Sequence, residues 1–235
     1  MEIELAAAKI GKWATSESGD TFEMIERPHG GLSVVLVDGQ RSGKAAKAIS
    51  NLVARKAISE LAEGIRDGAA ARAANDYLYT YRAGKVSATL NIISVDLISK
   101  TLVLSRNSHC PIVVVNEEGH VEVLAEPSES IGVRRGAKPQ ITELPLSAGT
   151  TVVVYTDGLS AAGARKGTPF DVPAAVSDLC HAGNVGAEPL AQALFRRALD
   201  LDQGRPQDDI SVVILSVVDR PSDGVRHLSL RLPLG

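Results

Sequence analysis

The segment Ala88–Ser105, with the sequence ATLNIISVDLISKTLVLS, contains two apolar runs on either side of a short turn. Ala88–Leu97 and Thr101–Ser105 are rich in the branched aliphatic residues that strands favour. The three residues between them, Ile98-Ser99-Lys100, are too few for a crossover, so the two strands must run antiparallel. The segment therefore predicts a β-hairpin and, with it, an antiparallel sheet.

Other segments repeat this pattern of consecutive strands and add helices at two places. The further predicted strands are Thr21–Arg27, Leu32–Val37, Ile112–Val115, Val121–Leu124, Gln140–Leu144, Thr151–Thr156 and Ile210–Val217. The predicted helices are Lys44–Glu63, Ala69–Arg82, Pro173–His181 and Glu188–Leu201. Because strands follow strands, the sequence favours an α+β fold with helices packed outside antiparallel sheets. In the tail, 219–235, alternating leucines leave open either an edge strand or an irregular extension.

Length and composition are those of an ordinary globular domain. The 235 residues suit one domain spanning 1–235, and 44% apolar with 23% charged residues excludes an extensively disordered chain. The net charge of −3 argues against nucleic-acid binding, and no apolar run approaches the roughly 20 residues of a membrane span. The two cysteines form no spaced framework, and the N-terminus has no basic signal region. We therefore expect a cytoplasmic protein.

Aspartates stand at the ends of four predicted strands. Asp20 and the pair Asp208-Asp209 directly precede strands, whereas Asp38 and Asp157 directly follow them. Carboxylates gathered in one place repel one another unless a cation offsets their charge, and oxygen ligands suit Mg²⁺, Mn²⁺ or Ca²⁺. Each aspartate taken alone is more typical of a turn than of a metal ligand. The pattern indicates a metal site if the strand ends converge, which spacing alone does not establish.

Glycines accompany these aspartates. Gly39 and Gly158 directly follow two of them, where a glycine allows a sharp turn and lets its carbonyl approach an ion. The loop 38–44 also lies between a predicted strand and a predicted helix, which is the setting of a phosphate-binding loop. It lacks the first glycine of that motif, and Ala45 replaces the hydroxyl residue that would hold magnesium. A nucleotide-binding enzyme is therefore the weaker alternative.

The sequence offers few candidates for a covalent nucleophile. His109-Cys110 is one, although adjacent residues on a turn rarely face each other, so this pair is expected to shape a bend. Cys180-His181 is expected to pack near a helix end, with the histidine close to the C-terminal dipole.

Six motifs resemble, in order and spacing, those of the metal-dependent PP2C phosphatases, in particular the bacterial SpoIIE-type branch. They are Ser18-Gly19-Asp20, Val37-Asp38-Gly39-Gln40-Arg41-Ser42-Gly43, Ser87-Ala88-Thr89-Leu90, Asn107-Ser108-His109-Cys110-Pro111, Tyr155-Thr156-Asp157-Gly158 and Asp208-Asp209-Ile210-Ser211. The resemblance extends over about Ile10 to Val217. The short length, with no sensory or membrane domain attached, makes the chain most similar to RsbX-like feedback phosphatases of the stressosome.

The resemblance implies a four-layer α-β-β-α sandwich, two antiparallel sheets flanked by helices, with two Mn²⁺ or Mg²⁺ ions at one end. The implied metal ligands are Asp20, Asp38, the Gly39 carbonyl, Asp157 and Asp208, and the implied catalytic residues are Asp38 and Asp157. Asp38 bridges both ions in this interpretation, and Asp20 holds metal directly or through water. The resemblance assigns the ligand role to Asp208 and leaves Asp209 as a turn or supporting residue, with Gly158 beside the site.

The chain departs from the family pattern at Arg41, which stands where the family often has a glycine. A guanidinium at this position could contact the substrate phosphate, or it could be a solvated loop cation.

The function implied is hydrolysis of phosphoserine or phosphothreonine by a metal-activated water. The expected partners are phosphorylated STAS-domain proteins of a stressosome-like module, with no nucleic acid and no membrane involved. An alternative of a different class is a binding module that keeps the fold but has weak catalysis.

Overall fold

Ten β-strands form two antiparallel sheets in the computed structural model, which describes residues 1–183 and 186–233. The strands are β1 (Glu2–Ile10), β2 (Asp20–Glu26), β3 (Leu32–Gly39), β4 (Ala88–Asp96), β5 (Thr101–Asn107), β6 (Ile112–Val115), β7 (Val121–Leu124), β8 (Gln140–Pro145), β9 (Thr151–Tyr155) and β10 (Ile210–Val218). One sheet has the order β1-β10-β9-β6-β7, and the other has the order β2-β3-β4-β5-β8. The hairpin predicted from Ala88–Ser105 is confirmed, because β4 and β5 pair antiparallel.

The helices lie on the outer faces of the two sheets. They are α1 (Gly43–Ala62), α2 (Asp67–Arg82), α3 (Asp157–Ala161), α4 (Val172–His181) and α5 (Ala187–Leu201). The first two pack on the β2–β8 sheet, whereas α4 and α5 pack on the β1–β7 sheet. The α+β prediction and the four-layer α-β-β-α arrangement are therefore confirmed.

Three apolar clusters fill the three spaces between the four layers. In β3, Val35 and Val37 face the helices, while Val34 and Leu36 face the other sheet. Both faces of this strand are buried, which explains why its sequence is continuously apolar instead of alternating. Burying each such aliphatic side chain stabilises the fold by about 1.5–3 kcal/mol.

The two ends of the chain differ from the sequence prediction. β1 was not predicted, yet it pairs antiparallel with β10 from Glu2 opposite Val218 to Ile10 opposite Ile210. The tail, expected as an edge strand or an irregular extension, forms no strand between positions 219 and 233. Its leucines are largely exposed, so the edge-strand interpretation is wrong for these described residues.

Candidate metal centre

Four aspartates meet at one end of the sandwich because four strands end or begin there. Asp20 and Asp38 lie directly opposite each other on the neighbouring strands β2 and β3. Asp157 follows β9 and Asp208 precedes β10, and these two strands pair in the facing sheet, with Tyr155 opposite Val212. The facing sheets thus bring carboxylates that are far apart in sequence to the same edge.

The pKa of Asp38 shows how close these carboxylates are. Burial and, after it, the negative charges of Asp20, Asp157 and Asp208 together raise the pKa of Asp38 to about 9. Burial likewise raises the pKa of Asp208, with the charge of Asp157 contributing. The four carboxylates therefore repel one another, and a bound cation would relieve that repulsion.

Asp20 is fully buried and joins the two sheets. Its Oδ2 atom accepts hydrogen bonds from Thr156 Oγ1 at 2.9 Å and Ser211 Oγ at 2.6 Å, both on the facing sheet. Its Oδ1 atom has no hydrogen-bond partner among the described residues. Burial raises the pKa of Asp20 to about 7 despite the two hydroxyl donors. An unpartnered buried carboxylate oxygen is costly, and a proton or a cation would satisfy it.

The donor set fits Mn²⁺ or Mg²⁺, because hard cations favour carboxylate oxygens. Within residues 1–183 and 186–233, however, no three His, Cys, Asp or Glu side chains stand close enough together to hold one ion without moving. The carboxylates are thus neighbours that would have to rotate onto a common centre. The unpartnered Oδ1 of Asp20 and the mutual repulsion at Asp38 are the observations in favour of that centre.

Asp208 and Asp209 have different surroundings. Both oxygens of the buried Asp209 accept backbone N–H groups, from Lys12 at 2.9 Å and from Gly19 at 2.8 Å. Asp209 therefore fastens the segment between β1 and Asp20. Asp208 is half-buried, and its Oδ1 atom accepts the backbone N–H of Asp209 at 3.0 Å.

The motif glycines serve close packing instead of turning the chain. A Cβ on Gly39 would lie 2.1 Å from the carbonyl oxygen of Ala46, and one on Gly158 would lie 2.1 Å from that of Asp209. Neither glycine has a positive φ, so these positions do not need the left-handed conformation that favours glycine. Gly39 instead ends β3 and lets α1 approach the strand end.

Replacing Gly39 with alanine should destabilise the fold by about 3 kcal/mol, because the added methyl group would overlap a backbone carbonyl that cannot rotate away. Gly43→Ala is the matched control. Gly43 has open space around its Cβ position and only a positive φ of 66°, so this change should cost about 1 kcal/mol. Urea unfolding of both variants measures the difference, and equal losses would contradict the packing argument.

The His109-Cys110 pair does not form a nucleophile. Cys110 is buried, and burial together with the nearby charge of Asp157 raises the pKa of its thiol to about 12. The exposed His109 places Nε2 3.4 Å from Oδ2 of Asp157. The sequence predicted only a bend here, and no local pattern indicated that the imidazole would reach this carboxylate.

Cys110→Ser should retain hydrolysis within about twofold of wild type, because a thiol with so high a pKa supplies almost no thiolate at neutral pH. Cys110→Ala controls for the cost of placing a hydroxyl in a buried position. Loss of turnover in both variants, with unchanged unfolding curves, would restore the covalent alternative.

The loop 40–43 does not resemble a phosphate cradle. The backbone N–H of Gln40 donates to the carbonyl of Ser87, and Gln40 Oε1 accepts the N–H of Ser87. The loop therefore uses its first N–H in a contact with the adjacent segment, which weakens the nucleotide-binding alternative. Arg41 is exposed and has a φ of 79°, a left-handed conformation that costs a non-glycine residue about 1–2 kcal/mol.

A family model for stage II sporulation protein E (SpoIIE) matches residues 28–218. The chain belongs to the SpoIIE family. No curated protein sequence matches this SpoIIE-family chain. No helix in the described ranges, 1–183 and 186–233, has the length and apolar character that crossing a membrane requires.

Solved structures agree on the fold of this SpoIIE-family chain. The PP2C phosphatase domain of SpoIIE from Bacillus subtilis, with a fragment of its regulatory domain, superposes with a TM-score of 0.76 at 19% identity. That match covers 94% of this chain but 64% of the SpoIIE chain. The catalytic domain of the serine/threonine phosphatase PstP, in complex with two manganese ions, gives a TM-score of 0.70 at 18% identity over 92% and 99% of the two chains. RsbX in complex with magnesium gives a TM-score of 0.65 at 16% identity, and the match covers 91% of this chain and 94% of the RsbX chain. The fold is that of the PP2C phosphatases.

Proposed function

We propose that this SpoIIE-family chain is a Mn²⁺- or Mg²⁺-dependent protein-serine/threonine phosphatase. The observation that carries the proposal is the meeting of Asp20, Asp38, Asp157 and Asp208 between the two sheets, where their charges raise the pKa of Asp38. PP2C-fold relatives that contain two manganese ions or magnesium support the choice of metal. The number of ions is proposed to be two.

The residues divide the work by position. Asp38 is proposed to hold both ions, the Gly39 carbonyl and Asp20 to hold one of them, and Asp157 and Asp208 to hold the other. Bound metal would supply an activated water and offset the charge of the phosphoryl oxygens. Thr156 and Ser211 orient Asp20 through its Oδ2, which leaves Oδ1 without a hydrogen-bond partner among the described residues.

Two exposed basic side chains belong to the motifs of this centre. Arg41 follows Gly39 by two residues, and we assign it to binding a phosphoryl oxygen of the substrate. His109 contacts Asp157 at the exposed edge, where it fixes the orientation of that carboxylate. Gly158 contributes by letting the segment after β9 approach the Asp209 backbone closely.

The substrates are proposed to be phosphorylated STAS-domain proteins of a stressosome-like module in the cytoplasm. Support comes from the family and from the structural likeness to RsbX. Within such a module, the chain is proposed to act as a feedback phosphatase in the manner of RsbX.

The test is a phosphatase assay on purified protein, using para-nitrophenyl phosphate and phosphorylated STAS-domain proteins. We expect turnover of both substrates with added Mn²⁺ or Mg²⁺, and loss of turnover after thorough chelation that is restored by either ion. Turnover undiminished by chelation would overturn the metal mechanism.

The fold-retaining binding module predicts another outcome. In that case the chain would bind a phosphorylated STAS-domain protein but would release no phosphate from it or from the small ester, at any metal concentration. If the chain hydrolyses the small ester but none of the phosphorylated STAS-domain proteins, the phosphatase activity is supported and the substrate assignment is rejected.

A further inference from the structure

A groove of about 430 Å³ lies on the loop between β7 and β8, outside the metal centre. We call it the basic groove, and the lining residues that matter here are Ser128, Glu129, Arg134, Arg135, Lys138 and Gln140. Three of these side chains are cationic and one is anionic, although the whole chain has a net charge of −3. The excess of positive charge is therefore local.

The groove is rigidly built. Ile131 forms a two-way backbone bridge with Ala88, at 3.1 and 2.9 Å. Asn107 Nδ2 donates to the Glu129 carbonyl at 3.0 Å, and Asn75 Nδ2 donates to the Arg134 carbonyl at 3.0 Å. A surface fixed in this way loses little conformational entropy when a ligand binds.

The same contacts place part of the loop that carries the groove near the metal centre. Ala88 pairs with Gly39 on one side and with Ile131 on the other, so Ile131 lies two strand spacings, or about 10 Å, from Gly39. Arg106 forms a second connection. Its guanidinium donates to the Ser108 carbonyl, one residue before His109, and to the Glu126 carbonyl at the start of the groove loop.

The cationic side chains of the groove differ in their contacts within the protein. Arg134 pairs with Glu129, and Arg135 lies over the ring of Tyr79 at 5.4 Å. An arginine stacked on a ring keeps its charge and its donors available on the open side. Lys138 is exposed beside it. Asp76 also lies against this loop, where its Oδ1 accepts the Gly136 N–H. Three cationic side chains then stand beside two carboxylates, so the local charge is still positive.

We propose that the basic groove binds acidic residues that flank the phosphorylated residue of the protein substrate. This inference rests on the proposed function. An extended peptide advances about 3.3 Å per residue, so acidic side chains three to six positions from the phosphoresidue would reach the groove. The complementary charge would raise affinity and association rate for such substrates. The net negative charge of the whole chain favours a protein segment over a nucleic acid.

The test compares Arg135→Glu/Lys138→Glu with Lys100→Glu/Arg55→Glu. The control pair changes the net charge equally at exposed positions in the β4–β5 turn and on α1. Each protein is assayed on two phosphothreonine peptides that differ only in having glutamate or glutamine three to six residues from the phosphothreonine. We expect wild type and the control to prefer the acidic peptide by about tenfold in kcat/KM. The groove variant should lose that preference while keeping wild-type turnover of para-nitrophenyl phosphate.

Direct binding separates this inference from the proposed function. Fluorescence anisotropy of the labelled acidic peptide should show tighter binding to wild type than to the groove variant, whether or not the small ester is hydrolysed. Absence of any ester turnover would reject the proposed function alone. Equal binding by wild type and the groove variant, equal losses in both variants, or equally tight binding of a single-stranded oligonucleotide would overturn the groove assignment.

Discussion

Asp38→Asn should reduce phosphate-ester turnover by about a thousandfold or more while leaving the fold intact. The replacement keeps the shape of the side chain at the centre of the acidic cluster but removes the charge proposed to hold both ions. Asp157→Asn should behave in the same way, since its carboxylate is half-exposed and contributes little to packing. Steady-state kinetics at saturating Mn²⁺ measures both losses.

The same replacement should stabilise the metal-free protein. Asp38 has a pKa of about 9 in the folded state against an ordinary value near 4, so the folded state holds a proton that the unfolded state releases. Stability then falls as pH rises from about 4 toward 9. Asp38→Asn removes the part of this dependence that comes from Asp38, so the variant should gain stability relative to wild type as the pH rises from 5 to 8.

Chemical unfolding in a chelator at pH 5 and pH 8 provides the measurement. Wild type should be less stable at pH 8 than at pH 5, and Asp38→Asn should show a smaller difference. Glu143→Gln is the control, because this carboxylate lies on the edge strand β8. Near-normal turnover in Asp38→Asn would show that the centre is misplaced, whereas a variant that fails to fold would contradict the repulsion argument.

Much of the fold could be predicted from the sequence because the strands are strongly apolar and joined by short turns. β1 is the instructive exception. Its three consecutive alanines, Ala6–Ala8, have low β-propensity, and the strand forms because its partner β10 buries one face of it. Pairing with β10 therefore makes this segment a strand, although its local sequence does not favour one.

The site was predictable as a set of aspartates but not as a geometry. The register that puts Asp20 opposite Asp38 depends on pairing between strands, which no local pattern encodes. The same holds for the cross-sheet contacts of Asp20 with Thr156 and Ser211. Gly39 adds a requirement that the sequence did not reveal, because a side chain at this position would overlap the carbonyl of Ala46.

The adjacent pair Asp208-Asp209 shows where extrapolating a strand fails. Within β10, Val212 and Ile214 face the helices, while Val213 and Leu215 face the other sheet. Continuing this alternation backward would turn Asp208 toward the helices and only Asp209 toward the site. The chain bends before Ile210, however, so the alternation does not extend to position 208. The charges of Asp208 and Asp157 accordingly affect each other, although Asp208 precedes the strand.

Asp208→Asn and Asp209→Asn should therefore lose different properties, the first metal affinity and turnover, and the second stability. Asp208→Asn should lower turnover and Mn²⁺ affinity by about a hundredfold with unchanged unfolding, because a proposed ligand charge disappears from a half-buried position. Asp209→Asn should cost about 1–3 kcal/mol of stability, since an amide group can accept only one of the two N–H groups from Lys12 and Gly19. Calorimetric Mn²⁺ titration and urea unfolding of both variants separate the two effects. A larger loss of Mn²⁺ affinity in Asp209→Asn would reverse the assignment, because a residue that only fastens the 12–19 segment has no charge to lose at the metal.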